Sequence, residues 1–333
     1  MRVTVIGAGV AGLATATELS ERGCAVEVVE RAPALGLGAC SWQAGGMLAP
    51  WCERESAEEL VAELGGESLD WWPRHHGGVA RMGSLVLAPR RDEPDLERFA
   101  RRTRNYRRLD PAGIAALEPD LAGRFGRALY FPEEAHLEPR AALASLARGL
   151  TERSVPIRFG VAVEDVAGPV VDCRGFAARD RLPDLRGVKG EMVVVRCPDV
   201  TLARPVRLLH PRFPLYVVPR PEGVFMVGAT MIESEERGRV TARSVVELLN
   251  AAYALHPAFA EAEILELGCD VRPAFPDNLP RIRRQGERVL VNGLFRHGFL
   301  LAPALARRAA AVVMERAVFP EVMDAGDRQQ RAS

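Results

Sequence analysis

The chain has 333 residues, of which 48% are hydrophobic, and its 44 basic and 44 acidic side chains give a formal net charge of zero. This length can bury one large core or two joined cores, and the composition shows no collagenous, disordered or low-complexity bias. A balanced charge provides no overall field toward nucleic acid or an anionic membrane. We therefore expect neither a nucleic-acid partner nor a membrane partner.

The six cysteines show neither the spacing of metal ligands nor a disulfide framework. They predict free thiols in a reducing compartment and no metal site. No apolar stretch is long enough to cross a bilayer without interruption, and the sequence begins directly with a predicted strand, so we expect no signal peptide. These features predict a soluble, cytoplasmic protein.

The start of the chain has a βαβ pattern. Residues 2–6 are predicted as a buried strand, residues 10–22 as a helix and residues 25–30 as a second strand. The Gly- and Ala-rich segment 35–50 predicts a loop that leads into a short helix, and residues 56–72 have helical periodicity.

The middle of the chain mixes strands and helices without an internal repeat. A strand is predicted at 81–88 and a charged helix at 93–106, and the basic run from Arg98 to Arg108 is interpreted as a solvated helix face rather than a nucleic-acid patch. The later predicted elements are a loop at 131–139, a helix at 140–153, strands at 156–166, 170–171, 191–196, 215–219 and 224–227, a helix at 241–255, strands at 264–272 and 289–292, and a helix at 300–316.

A glycine-rich turn joins the first predicted strand to the first predicted helix. In the pattern G-x-G-x-x-G, Gly7 allows the tight turn, Gly9 lets the backbone approach a pyrophosphate, and Gly12 lets helix and strand pack closely. The free N–H groups and the dipole of the helix favour phosphate binding. Glu30 ends the second strand, 18 residues after Gly12, where a carboxylate accepts from ribose hydroxyls. The pattern predicts a dinucleotide site rather than a merely glycine-rich turn, and it leaves FAD and NAD open.

Several separated motifs resemble one family. Segment 41–53 (SWQAGGMLAPWCE) resembles the flavin-contacting segment of the D-amino-acid oxidase superfamily, and segment 295–303 (FRHGFLLAP) resembles its flavin-covering loop and following helix. Motifs at 215–220, 227–230 and 271–273 follow in the order of that family. The resemblance covers nearly the whole chain and is closest to the glycine oxidase branch of thiamine biosynthesis. It implies FAD as the cofactor.

The resemblance implies roles for individual residues. Arg272 would pair with the substrate carboxylate, Tyr216 would donate a hydrogen bond to it, and Arg296 would lie at the edge of the substrate. A guanidinium suits this role because it holds a carboxylate through two parallel hydrogen bonds. No cysteine follows Arg272, which favours non-covalent FAD. The implied cofactor contacts are Gly7, Gly9, Val10, Ala11, Gly12, Glu30, Arg31, Cys40, Ser41, Gly45, Gly46, Met47, Val163, Leu294, Phe295, Arg296, His297, Gly298, Phe299 and Leu300.

The predicted fold class is α/β, with an FAD-binding, Rossmann-like doubly wound domain interleaved with an antiparallel-sheet substrate domain. Buried strands of the first type return near residues 170 and 289, so the nucleotide-binding sheet is assembled from distant parts of the chain. The predicted FAD-binding domain comprises residues 1–78, 138–180 and 268–323, the predicted substrate-binding domain comprises residues 79–137 and 181–267, and residues 324–333 are predicted as a disordered tail.

The implied activity is the FAD-dependent oxidative deamination of glycine, with sarcosine and small D-amino acids as further substrates. Hydride would pass to flavin N5, O2 would be reduced to H2O2, and the glycine imine would supply the thiamine thiazole. Three alternatives stay open: a sarcosine or D-amino-acid oxidase, a dehydrogenase on the same fold, and a catalytically silent flavin-binding partner of thiazole synthesis. The presence of both Arg272 and Tyr216 weighs against the last. The resemblance also implies thiazole-synthesis enzymes as partners and a homo-oligomer, for which the family suggests a homotetramer.

Overall fold

The computed structural model describes residues 1–162, 168–210 and 215–324. The helices in these ranges are α1 (Val10–Glu21), α2 (Pro50–Glu53), α3 (Glu59–Gly66), α4 (Ser68–His75), α5 (Glu93–Arg102), α6 (Pro111–Leu117), α7 (Pro139–Glu152), α8 (Ala242–Leu255) and α9 (Gly298–Glu315). Val163 and residues 325–333, the greater part of the predicted tail, lie outside the described residues.

The strands of the described ranges form two large sheets and one small one. They are β1 (Arg2–Ile6), β2 (Ala25–Glu30), β3 (Met47–Leu48), β4 (Ser84–Leu87), β5 (Arg107–Leu109), β6 (Ala128–Phe131), β7 (Ala135–His136), β8 (Ile157–Phe159), β9 (Val170–Asp172), β10 (Arg186–Arg196), β11 (Val206–Leu208), β12 (Leu215–Arg220), β13 (Val224–Gly228), β14 (Ile232–Glu233), β15 (Glu263–Ala274), β16 (Arg281–Gln285) and β17 (Arg288–Asn292).

The first sheet has six strands in the order β16-β17-β9-β1-β2-β8. Its pairs are parallel except for the edge pair of β16 and β17. Strands that are buried on both faces read as apolar runs, and β1 accordingly buries Val3, Val5 and Ile6. Helix α1 is buried along most of its length and packs against α9. Strands from the two ends of the chain therefore meet in one sheet, as the sequence predicts for 170 and 289.

The second sheet has nine strands, with the path β14-β10-β13-β12-β11-β4-β6-β5 and β15 paired to β10. Its pairs are antiparallel except for β4 and β11. Side chains alternate between the two faces of a strand, and on one face Val193, Val217 and Val227 join a core with Leu248 and Ala252 of α8. The other face has a smaller buried cluster of Met192, Val218 and Met226, against which Tyr216 packs.

The helix predicted at 93–106 is too long. Helix α5 ends at Arg102, because Thr103 is extended and Asn105 has a φ of 61°, and β5 follows at Arg107. The basic run is consequently not one helix face. Its arginines instead form ion pairs with acidic neighbours: Arg102 with Glu55, Arg104 with Glu59 and Arg108 with Glu97.

The two predicted domains stay a prediction, and their boundary at 267/268 runs through a strand. Strand β15 pairs with β10 from residue 263 to residue 274, so its second half belongs to the nine-stranded sheet and not to the six-stranded one. The six cysteines, all within the described ranges, are free. In those same ranges no helix has both the length and the apolar character that crossing a membrane requires.

Candidate active site

A cavity of ≈ 360 Å³ is lined by residues of both large sheets. One end lies at the carboxyl end of β1, where Gly7, Gly9 and Ala11 line it. The other end lies at the nine-stranded sheet, where Tyr216 and Arg272 line it. Ligands of open parallel sheets bind outside the carboxyl ends of the strands, so the cavity is in the position expected of a dinucleotide site.

The turn between β1 and α1 is shaped by three glycines with different roles. Gly7 has a φ of +102°, and a Cβ atom there would lie 2.7 Å from the carbonyl oxygen of Cys173. A Cβ at Gly12 would lie 1.8 Å from the carbonyl oxygen of Gly7, whereas a Cβ at Gly9 would meet nothing closer than 3.6 Å. Gly7 and Gly12 are therefore required by packing, and only Gly9 leaves space open toward the cavity.

The N-terminus of α1 and the carboxylate of Glu30 fit the phosphates and the adenosine of FAD. The N-cap residue Gly9 has no side chain to cap α1, and among the N–H groups of the first turn that of Val10 donates to Ser41 Oγ. The N–H groups of Ala11 and Gly12 and the positive end of the helix dipole are available for phosphate oxygens. Glu30 accepts from the backbone N–H groups of Ala8 at 2.8 Å and Ala32 at 2.9 Å. A carboxylate has about four acceptor sites, so Glu30 retains capacity for ribose hydroxyls.

Three arginines, from α7, from β12 and from the segment between β14 and α8, hold the loop that the resemblance places beside the flavin. Arg237 donates to the carbonyl oxygen of Gly38 at 2.9 Å, and Arg140 donates to that of Trp42 at 3.3 Å. Arg220 donates to the carbonyl oxygen of Gly45 at 2.9 Å. No role was predicted for these three arginines from the sequence, although Arg220 is the last residue of the motif at 215–220.

The hydroxyl of Ser41 has a hydrogen-bond partner in α1, and the thiol of Cys40 is protonated. Ser41 Oγ accepts from the backbone N–H of Val10 at 3.3 Å and so connects the loop to the first turn of α1. Burial raises the pKa of the Cys40 thiol to about 12, and the nearby Asp270 carboxylate raises it further. Cys40 therefore lines the cavity as a neutral thiol and not as a nucleophile.

Arg272 and Tyr216 project from the same face of the nine-stranded sheet. Arg272 is opposite Val188 in the β10–β15 pair, and Tyr216 is opposite Gly228, which is itself opposite Met192 of β10. Residues directly opposite each other share a face, as do residues two apart on one strand. The register therefore brings the predicted guanidinium and the predicted phenol to one wall of the cavity.

The hydrogen-bond state of this wall suits a carboxylate. Arg272 donates from Nη1 to the carbonyl oxygen of Thr230 at 3.0 Å, and in the part of the chain that the structure describes no other acceptor bonds to it. Burial raises the pKa of the Tyr216 phenol, against an opposing effect of Arg272. Tyr216 is thus a neutral donor near pH 7, and Arg272 retains donors for a ligand.

Arg296 lines the cavity, but its guanidinium is occupied by neighbours. Its Nη2 donates to Glu53 Oε2 at 2.6 Å and to Ser56 Oγ at 2.5 Å. The resemblance implies that Arg296 lies at the edge of the substrate, and Glu53 was not predicted as its partner. The positive charge at this end of the cavity is therefore largely offset by a buried carboxylate.

Glu53 and His297 form a buried pair beside Arg296. Burial acts to raise the pKa of Glu53, but Arg296, the hydrogen bond with His297 and Arg207 together hold it well below its usual range. Burial lowers the pKa of His297, against the attraction of Glu53. Glu53 is therefore ionised and His297 neutral. Nε2 of His297 lies 2.9 Å from Glu53 Oε2 and 3.2 Å from Arg296 Nε, so the carboxylate and the guanidinium both contact the same ring nitrogen.

Most residues predicted to contact the cofactor or substrate line the cavity, and five of those described do not. The lining residues are Gly7, Gly9, Val10, Ala11, Glu30, Arg31, Cys40, Ser41, Gly45, Tyr216, Arg272, Leu294, Phe295, Arg296, Gly298 and Phe299. The five that do not line it are Gly12, Gly46, Met47, His297 and Leu300. Val163 lies outside the described residues.

Sequence reasoning missed several lining residues. Arg237 lines the cavity and pairs with Asp270, with Nε to Oδ1 at 2.8 Å and Nη2 to Oδ2 at 3.1 Å. Gly190 also lines the cavity. A glycine within a strand often marks a close approach of other atoms. Gly190 was not recognised in this way because the strand was predicted to begin at Glu191, whereas β10 begins at Arg186. In the described ranges, no group of three or more His, Cys, Asp or Glu side chains could hold a metal ion.

Comparisons with known proteins agree with this geometry. The family model described as "FAD dependent oxidoreductase" matches residues 2–312. A protein of Rhizobium etli named as a thiamine biosynthesis oxidoreductase, ThiO, is 57% identical over 324 residues, which cover 96% of this chain and 99% of that protein. The bifunctional protein ThiO/ThiG of a Nostoc species is 28% identical over 351 residues, which cover 94% of this chain and 52% of that protein.

The fold is likewise that of known flavoenzymes. The crystal structure of glycine oxidase from Geobacillus kaustophilus superimposes with a TM-score of 0.82 at 26% identity and covers 96% of each chain. The predicted fold class, the FAD cofactor and the oxidoreductase class are confirmed by these findings together with the cavity. The chain belongs to the family of FAD-dependent oxidoreductases and is similar, over nearly its whole length, to thiamine-biosynthesis and glycine oxidases.

Proposed function

We propose that this chain is a glycine oxidase that converts glycine, water and O2 to glyoxylate, ammonia and H2O2. The single observation that carries the proposal is the shared wall of Arg272 and Tyr216, which faces a cavity with a dinucleotide turn at its other end. Similarity to ThiO and to glycine oxidase supports the same activity.

The chain's own residues would bind and orient the substrate. Arg272 holds the carboxylate of glycine with the donors that Thr230 leaves free, and the neutral Tyr216 phenol donates one further hydrogen bond. Fixing the carboxylate at one end sets the direction of the Cα–H bond, and such positioning supplies much of the rate in reactions without a protein acid or base. FAD, when bound, supplies the hydride acceptor.

The charges around the wall favour a substrate with one carboxylate. Arg272 has a guanidinium that is open to a ligand, whereas the guanidinium of Arg296 is bonded to Glu53 and Ser56. A second substrate carboxylate would have to compete with Glu53, which is ionised and buried. Small monocarboxylates such as glycine, sarcosine and D-alanine fit this arrangement of charge.

The proposal includes a place in thiamine biosynthesis. The first product of oxidation is the glycine imine, which hydrolyses to glyoxylate and ammonia unless a second enzyme consumes it. The relative in which ThiO and ThiG form one bifunctional protein supports delivery of the imine to a thiazole-forming partner. We propose a cytoplasmic location, which the six free cysteines support, and non-covalent FAD; a homotetramer stays a prediction.

The test is a peroxide assay on the purified, FAD-loaded protein with glycine, sarcosine and D-alanine. We expect peroxide with glycine, and we expect Arg272→Ala to lower kcat/KM by roughly 100-fold because a charged hydrogen-bond partner of the carboxylate is lost. Arg272→Lys, which keeps the charge without the planar fork, should fall between the two. Arg243→Ala, at an exposed position on α8, is the control and should match the wild type.

The outcomes separate the alternatives. Turnover of sarcosine or D-alanine without turnover of glycine would make the chain another amino-acid oxidase on this fold. Turnover with an artificial electron acceptor but no peroxide would identify a dehydrogenase. Bound FAD without turnover of any of the three substrates would favour the silent flavin-binding partner.

A further inference from the structure

We propose that Gly190 is a positioning residue for substrate binding, because the absent side chain at this position leaves the space in which the guanidinium of Arg272 lies. The inference rests on the proposed function, in which Arg272 binds the substrate carboxylate. It adds a residue that makes no hydrogen bond to substrate yet determines where that carboxylate can lie.

The strand register brings Gly190 under the side chain of Arg272. In the antiparallel pair of β10 and β15, Arg272 is opposite Val188, and Gly190 is two residues further along β10. Residues two apart share a face, and diagonal neighbours across a strand pair are within reach of long side chains. The arginine side chain therefore extends over the position at which a larger residue 190 would project.

The distances show that the space is filled. A Cβ atom at Gly190 would lie 2.1 Å from Nη2, 2.2 Å from Cζ and 2.5 Å from Nη1 of Arg272. Non-bonded heavy atoms reach their optimal separation at about 3.5–4.0 Å, so even alanine excludes the guanidinium from its present place. Gly190 does not have a positive φ, so the reason for glycine here is space and not backbone conformation.

The guanidinium is fixed in this place from the other side by Thr230. Glu191 donates its backbone N–H to Thr230 Oγ1 at 2.9 Å, and Thr230 donates its own N–H to the carbonyl oxygen of Glu191 at 3.1 Å. The carbonyl oxygen of Thr230 then accepts from Arg272 Nη1 at 3.0 Å. The residue next to Gly190 thus also determines the position of the acceptor that orients Arg272.

The backbone at Gly190 is held on the opposite face of the sheet, so the side chain and not the strand has to yield. Lys189 Nζ lies 3.1 Å from Glu191 Oε1, and it also bonds to Glu236. Glu191 Oε1 accepts the backbone N–H of Thr241 at 3.0 Å. Both Lys189 and Glu191 are buried, so shifting this stretch of β10 would disrupt buried ion pairs.

Glycines also leave space for the side chain of Tyr216, although the contacts are less close than at Gly190. A Cβ at Gly45 would lie 3.1 Å from Cε2 of Tyr216, and one at Gly228 would lie 3.4 Å from it. Two glycines therefore flank the phenol as Gly190 underlies the guanidinium. Because a Cβ at Gly45 would be less crowded than one at Gly190, the two positions allow the effect of an added methyl group to be compared at two degrees of crowding.

The test compares Gly190→Ala with the wild type in three measurements on FAD-loaded protein. We expect kcat/KM for glycine to fall by roughly 100-fold, the usual result of a misplacement of about 1 Å at a reacting centre. The dissociation constant of acetate, followed through its perturbation of the flavin absorption band, should rise at least about tenfold. The dissociation constant of FAD and the melting temperature of the apoprotein should stay close to those of the wild type.

Two further variants show whether the effect runs through Arg272. Gly66→Ala is the matched control, because a Cβ there meets nothing within 4 Å; it should bind acetate like the wild type. In the Arg272→Lys background the guanidinium is gone, so adding Gly190→Ala should cost much less than it costs in the wild type. Gly45→Ala should produce a smaller loss than Gly190→Ala.

The results distinguish failure of this inference from failure of the proposed function. If the FAD-loaded wild type releases no peroxide with glycine, the proposed function is wrong. If acetate and glycine bind equally well to the wild type and to Arg272→Ala, Arg272 does not hold the substrate carboxylate and Gly190 has no role of this kind. If Arg272→Ala is impaired but Gly190→Ala binds acetate like the wild type, the inference alone is overturned. It is also overturned if Gly190→Ala loses FAD or melts much earlier, since the strand and not the guanidinium would then have moved.

Discussion

Two buried carboxylates near the Arg296 end of the cavity have pKa values shifted in opposite directions. Glu53 is surrounded by Arg296, Arg207 and His297 and stays ionised. Glu134 accepts the backbone N–H of Cys52 at 2.7 Å through Oε1, while its Oε2 has no hydrogen-bond partner among the described residues. Burial raises the pKa of Glu134 to about 8 in spite of that hydrogen bond, and the nearby Glu53 adds to the shift. Glu134 is therefore protonated at neutral pH.

The raised pKa of Glu134 predicts that the protein loses stability as the pH rises toward 8. The carboxyl of Glu134 has a pKa near 4.5 in the unfolded chain and about 8 in the folded chain. Between pH 4.5 and pH 8 the folded state therefore binds one proton that the unfolded state has lost. Stability from this group is complete below pH 4.5 and is lost as pH rises through about 8. Relative to Glu134→Gln, the wild type should lose unfolding free energy by about 1.4 kcal/mol per pH unit in this window.

The measurement is chemical denaturation of wild type and Glu134→Gln at several pH values from 5 to 8. Comparing the two proteins at each pH cancels the contributions of the other titrating groups. Glu133→Gln, at an exposed neighbouring position, should give a difference from wild type that does not change with pH. A pH-independent difference for Glu134→Gln as well would show that Glu134 is already ionised at pH 5.

At the scale of the element, the β1–α1 turn has to let helix and strand pack closely and also leave space for phosphate. Gly12 meets the first requirement and Gly9 meets the second. A side chain at Gly12 would collide with the carbonyl oxygen of Gly7 in the turn itself. A side chain at Gly9 would point into open space beside Ser41 and Ala39, and Gly9 lines the cavity. Glycine is thus required for stability at position 12 and for phosphate binding at position 9.

We expect Gly9→Val to abolish FAD binding and Gly12→Ala to destabilise the fold. The apoprotein of Gly9→Val should melt near the wild-type temperature, because only the space for the pyrophosphate is lost. The apoprotein of Gly12→Ala should melt earlier, because helix and strand are forced apart. FAD fluorescence quenching and thermal melting of both apoproteins check this. Equal melting temperatures for the two variants would contradict the division of roles.

At the scale of the whole molecule, the cavity joins segments that are far apart in the chain. Its lining comes from the first turn, from the loop around Cys40 and Ser41, from the nine-stranded sheet and from the segment before α9. A ligand that contacts all of these connects both large sheets. Binding to the folded state alone stabilises a protein by mass action, by about 4 kcal/mol at 1,000 times the dissociation constant.

We therefore expect FAD to raise the melting temperature of the apoprotein by roughly 5–10 °C at saturating concentration. Riboflavin lacks the phosphates and the adenosine that the α1 N-terminus and Glu30 would hold, so it should give a much smaller shift. Differential scanning fluorimetry with and without each ligand measures both effects. Equal shifts for FAD and riboflavin would mean that the turn and Glu30 contribute little to binding.

Most features predicted correctly from the sequence are encoded by neighbours in the chain, and the exception is the return of the strands near 170 and 289 to the sheet of β1. The spacing of Gly7, Gly9 and Gly12 and the run of apolar residues before them identify the βαβ start, because turn conformation and helix packing depend on residues a few positions apart. The strands predicted at 215–219 and 224–227 correspond to β12 and β13, which pair with each other across a short turn and are local for the same reason. The helix predicted at 93–106 ends at Arg102, because Thr103 is extended and Asn105 has a left-handed conformation.

Only the tertiary structure could reveal the pairings on which the candidate site depends. Glu53 meets Arg296 across 243 residues of chain, and Gly190 lies under Arg272 only because β10 and β15 pair in one register and not in another. A shift of one residue would turn every side chain of a strand to the other face. The sequence by itself thus determined the cofactor turn and the residue types available for catalysis, and the strand register decided which of those residues face the same cavity.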